Sequence, residues 1–170
     1  PLNVPFEDKL KKQEAEFKKI AEEIVRDHLY SPNLLKRLML AKTNLTIPFG
    51  MTLAKEMIID QAIDFIIDGV KILNEEPNAT SAFFIDFVAA INKDIFESVL
   101  DVLKTLDDKR ILFGIMGKRT ILPQDECFGY LLNLVQSGEV DTDVFVVYWQ
   151  HLQFAAMNEN NIVRIFREIE

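Results

Sequence analysis

Two sets of side chains in this sequence carry chemistry beyond packing: one thiol accompanied by two imidazoles, and a row of carboxylates. Cys127 with His28 or His151 as a base is the smallest set that could act as a thiol nucleophile. Cys127 follows Asp125 and Glu126 directly, however, and their charges oppose formation of a thiolate. A free cysteine in such a setting reads as a small apolar core residue, so no catalytic role is assigned to it. Asp60, Asp64 and Asp68 recur at helical spacing with Glu56 one turn earlier, which lines them up along one side of a helix. Each like-charged pair of this kind costs about 0.2–0.5 kcal/mol, so the row invites a cation, and Lys71 answers Asp68 only in part. A carboxylate-bridged metal centre would need Glu-x-x-His pairs on facing helices, and neither histidine has that spacing. No metal or other cofactor is therefore expected. The row is either a water-facing stripe or a face that receives Lys or Arg from a partner.

Two glycine-containing segments have the outline of a binding loop. In Leu112 to Thr120, Gly114 and Gly117 precede Lys118, but a phosphate-cradling loop needs four residues between its glycines and Ser or Thr directly after the lysine. The same two-residue spacing occurs in loops that clamp nucleic-acid backbones, within a fold that also requires a sheet. No sheet is apparent, so the segment reads as a helix-ending glycine turn with a solvated Lys118-Arg119 pair. Gly138 to Asp143 imitates half of a calcium loop, yet Val135 and Val144 would fall where oxygen ligands are required. Gly138 is better read as a helix C-terminal residue.

The elements that must position these residues are helical. Helical spacing over Leu53 to Leu73 puts apolar side chains on about 220° of the wheel and leaves the three aspartates on the remainder, which predicts a central helix over 52–74. Before it lie a helix from Pro5 to Leu29 with one sparse apolar stripe, and a short helix capped by Ser31 and opened by Pro32. Asn44 to Gly50 reads as a break. Thr80 or Ser81 starts a Phe-rich helix, Asn92 starts another, and further helices are expected before Gly117, from Leu122 to Gly138, over Thr142 to Met157 and after Asn160. The run from Val144 to Trp149 has strand-like composition, but no partner strand is visible, and it is assigned to a helix. The fold class is all-α, with about eight or nine helices in an irregular bundle or in stacked helical hairpins. No repeat consensus is present, which favours the bundle.

Composition narrows the function. The 170 residues suit one helical domain, and 49% apolar residues with 13 Phe supply ample core. A net charge of −8 argues against nucleic acid as the main partner. No stretch is long and apolar enough to span a membrane. A single cysteine favours a reducing compartment, the cytoplasm or the nucleus. The chain begins at Pro1 and closes inside a helical pattern, which suggests a domain cut from a longer polypeptide rather than a whole protein lacking its initiator.

With no catalytic set standing, the sequence reads as a non-enzymatic scaffold or adaptor module. It would dock a basic or amphipathic-helical segment through Asp60, Asp64 and Asp68 and through an aromatic groove on Phe145, Tyr148 and Trp149. The competing reading is a carrier holding a fatty acid or sterol in a cavity lined by Phe83, Phe84, Phe87 and Phe96.

Overall fold

The computed structural model describes residues 6–41, 43–118 and 125–144, together with 159, 160, 163 and 167. Eight helices occupy the first three stretches: α1 (Phe6–Arg26), α2 (Pro32–Leu40), α3 (Thr46–Glu56), α4 (Ile59–Glu75), α5 (Ser81–Ala90), α6 (Lys93–Leu103), α7 (Arg110–Lys118) and α8 (Asp125–Gln136). The all-α class is thus observed, and among the described residues there is no strand. The helix expected over Thr142 to Met157 is described only for its first residues, 142–144, and the greater part of the last helix lies outside the described residues.

Helices α1 to α7 each pack mainly against a second neighbour. The odd helices form one row, α1 on α3, α3 on α5, α5 on α7, while α2, α4 and α6 form a second row beside it. Such alternation is the geometry of stacked helical hairpins, achieved here without a repeated sequence. Within the odd row, α5 holds the inner position. None of its ten residues is exposed, and Phe83, Phe84 and Phe87 are fully buried. Phe65 of α4 completes the ring cluster, its centroid 4.8 Å from Phe87 and 6.3 Å from Phe83.

The expected helix over 52–74 is divided. α3 ends at Glu56, Met57 and Ile58 have extended backbones, and α4 begins at Ile59. Neither Gly nor Pro stands at the break; the consecutive β-branched Ile58 and Ile59 are weak helix formers, and packing decides. α3 follows α1 and α5, whereas α4 follows α2 and α6, so one straight helix could not serve both rows. The segment 44–50, expected to be a break, is instead mostly helix. Pro48 falls in the first turn of α3, where a missing N–H costs nothing, and Gly50 lies against α5.

Local signals fix the ends. Ser31 Oγ accepts from Leu34 N at 3.2 Å, and Asn92 Oδ1 accepts from Ile95 N at 2.9 Å. Gly138 has φ +76° just beyond α8, as the sequence predicts. Thr80 directs its side chain away from the α5 terminus: both its N–H and its hydroxyl donate to Met39 O, at 2.8 and 2.9 Å, and so satisfy a carbonyl that the end of α2 leaves without an intrahelical donor. Asn74, near the end of α4, donates to Thr105 O and accepts from Asp107 N, both at 3.0 Å, which ties the α6–α7 turn to the even row.

Two glycines set the spacing of the helices around α5. A Cβ at Gly69 would sit 2.3 Å from Cε2 of Phe84, and one at Gly50 would sit 3.0 Å from the carbonyl oxygen of Phe83. Phe84 has no room to yield, since it is fully buried. Gly69→Ala is therefore expected to destabilise the fold by about 1–3 kcal/mol despite the better helix propensity of alanine. Urea unfolding measures this, and a neutral or stabilising result would contradict the packing described.

Candidate functional site

Helix α4 carries the described part of the sequence-predicted site. Its inner side is made of Gln61, Ala62, Phe65, Ile66, Gly69, Val70 and Ile72, all buried. The outer side follows from the same 3.6-residue period: Asp60 and Asp64 are exposed, and Asp68 is half-buried where α4 meets α2. Asp60 and Asp64 form no ion pair with any described residue. The structure thus keeps the acidic row together on one surface, as its spacing requires. Phe145, Tyr148 and Trp149, the aromatic half of the expected site, lie outside the described residues.

The sequence reading missed an apolar strip beside the acids. Ile59 and Ile67 are 55% and 43% exposed, with half-buried Ile63 between them at helical spacing. The wheel places Ile59 and Ile63 on the apolar side of one enclosed helix over 52–74 and does not single out Ile67. Ile58, at the corner before α4, is also 57% exposed. Isoleucines and aspartates therefore share the outer face of α4, and the adjacent α6 adds exposed Asp94, Glu97 and Asp101.

At its far end the acidic row reaches a cleft of about 310 Å³ between α2 and α4, bordered by Asp68, Glu75 and Glu76 with Lys36 and Lys71. Lys36 pairs with Glu76. Burial raises the Asp68 carboxyl above its ordinary range, Asp64 adds to the rise, and Lys71 offsets part of it.

Of the remaining candidates, His28 has a structural task. It is the C′ residue of α1 with φ +50°: Leu29 N donates to Ile24 O and His28 N to Val25 O, the paired bonds of a Schellman motif. Its Nδ1 lies 3.2 Å from Nε2 of buried Gln61, so the imidazole closes over α4. Cys127 lies on α8, with its side chain outside the described residues, as is His151. The glycines of Leu112 to Thr120 fall inside or at the end of α7 rather than in a loop, and Lys118 is not merely solvated: its Nζ donates to Asp86 Oδ2 at 2.7 Å. A single carboxylate inside Phe83 to Ala90 was the available signal, since a buried charge requires a partner. Among the described residues no three of His, Cys, Asp and Glu gather as a metal site would require, and no helix is long and apolar enough to cross a membrane. No protein-family model, curated protein or solved structure matches this chain.

The raised carboxyl of Asp68 has a thermodynamic sign. The folded state holds this proton more tightly than the unfolded chain, so stability falls as pH rises from the ordinary carboxylate range through the higher folded value. Asp68→Asn should therefore increase the unfolding free energy at pH 7 relative to wild type, and the increase should shrink towards pH 3. Urea unfolding at the two pH values tests this; an equal effect at both would assign the change to packing instead.

Proposed function

We propose that this protein is a non-catalytic docking module, a scaffold or adaptor domain, whose α4 face receives a basic amphipathic helix of another protein. The observation that carries this reading is the juxtaposition on one helix of exposed Ile59 and Ile67 with Asp60 and Asp64, which are exposed and have no ion pair among the described residues. Exposed apolar side chains supply area that gains from being covered, and carboxylates beside them select a cationic partner and repel an acidic one. A partner helix with apolar residues three and four apart and Lys or Arg at their flanks matches both. The cleft at Asp68 suits one of its basic side chains, because a cation there would offset the burial and the Asp64 charge that together raise this carboxyl. The net charge of −8 favours the same class of partner at longer range. The single cysteine supports a reducing compartment, the cytoplasm or the nucleus, as the place of action.

The state of the Phe-rich core also favours docking over a carrier with a Phe-lined cavity. Phe83, Phe84, Phe87 and Phe96 are fully buried, and the first three pack against other core side chains at the centre of the fold.

The test compares proteins captured from cell extract by the wild type, by the isosteric triple variant Asp60→Asn, Asp64→Asn, Asp68→Asn, and by Ile59→Ser, Ile67→Ser. Arg37→Ala, on exposed α2, serves as control. A partner held by wild type and control should be lost from both α4 variants, and its retention should weaken with added salt. Circular dichroism verifies folding. A partner retained equally by all four proteins would place docking elsewhere.

A further inference from the structure

A second surface, sharing no residue with the outer face of α4, has the opposite electrostatic character. Where α3 passes the C-terminal end of α5, a groove of about 620 Å³ opens, a size typical of small-ligand sites. Met51 and Ala54 of α3 with Met57 just beyond its end form one wall, and Ala89, Ala90 and Ile91 form the other. The short alanine side chains make the depression, and the two thioethers can adapt to whatever occupies it.

Among the described residues, three charged groups border this groove. Asp86 is 5% exposed and holds Lys118 at 2.7 Å, with Lys118 itself half exposed. Lys55 is exposed and has no hydrogen bond or ion pair among the described residues. Two ammonium groups against one carboxylate leave one unmatched positive charge in an apolar groove of a strongly acidic protein. The ion pair with Asp86 uses one of the three donors of Lys118, so the ammonium can still bond a second oxygen acceptor.

We infer that the groove binds a monocarboxylate with an unbranched alkyl tail. The tail lies between the alanines and the methionines, and the carboxylate bonds Lys55 and Lys118. One negative charge restores neutrality, whereas a dianion such as a phosphate monoester would exceed it and would face the Asp86 carboxylate. This site goes beyond the docking of a partner on α4, and neither stands or falls with the other.

Decanoate is the probe, and the methyl groups of methionine are the reporters. In protein labelled with methyl-13C methionine, titration should move the Met51 and Met57 signals saturably at one-to-one stoichiometry, while buried Met39 stays in place. Lys55→Gln should weaken binding about two- to fivefold, the effect of losing one exposed charge pair. Decanol, with the same tail and no charge, should bind the wild type about as weakly as decanoate binds that variant. Ala90→Phe, which fills the groove from a half-buried position, should abolish the saturable shifts in a protein that remains folded by circular dichroism. The inference is overturned if all methionine signals drift together without saturation, if decanol binds as tightly as decanoate, or if Ala90→Phe leaves the affinity unchanged.

Discussion

The constraint on which this structure depends is the close approach of α3 and α4 to the aromatic side of α5. Gly69 lies against the ring of Phe84 at a distance that excludes a Cβ, and Gly50 lies against the backbone and ring of Phe83, where a Cβ would be tight. Because the two glycines contact adjacent residues of one helix, α3 and α4 must both run past α5, but in different rows. A straight helix cannot meet that requirement, and the chain turns at Met57 and Ile58. The break thus follows from packing around α5, without a helix-breaking residue. Burying Phe65, Phe83, Phe84 and Phe87 together contributes about 1.5–3 kcal/mol per ring from area alone, far more than the cost of ending one helix and starting another.

The rows are held in register by polar contacts at helix ends. Thr80 spends both donors on Met39 O, fixing the start of α5 to the end of α2. Asn74 joins α4 to the turn after α6 through both ends of its amide. His28 accepts a left-handed backbone to close α1, and its ring meets Gln61 on α4. Asp86 and Lys118 join α5 to the end of α7. Each of these links satisfies a group that burial or a helix terminus would otherwise leave without a partner, so the polar pattern follows from the helix arrangement and also makes it specific.

Much of this was legible in the sequence where the signal is local. Ser31-Pro32, Asn92 and Gly138 mark element ends through chemistry that acts within one turn, and the structure places all three as read. Asp60, Asp64 and Asp68 were placed on one face because a helix of any surroundings would put them there. What was not legible depends on which helices meet. The wheel gave Ile58 and Ile59 to the core, since periodicity reports amphipathicity and not the number of neighbours a helix will have. The division of 52–74 was invisible for the same reason: nothing between Leu53 and Ile63 signals a stop, and the cause lies in Phe83 and Phe84, some 20 residues on. Lys118 looked solvated because its acceptor, Asp86, is distant in sequence and is brought near only by the packing of α7 on α5.

The corner at Met57 and Ile58 links this packing to both surfaces that carry the functional argument. On the α3 side of the corner, Met57 and Lys55 belong to the groove; on the α4 side, Ile59 and Asp60 begin the acidic and apolar face. The spacing within α4 sets isoleucines beside aspartates, and the turn before it carries that face away from Lys55, which stays beside the groove on the previous helix. Charge is thereby segregated over a few residues of chain: a positive groove before the corner and a negative face after it. A basic segment gains nothing electrostatically from entering the groove, and an anion gains nothing from settling on α4, so the break that the aromatic core imposes also separates two surfaces of opposite charge.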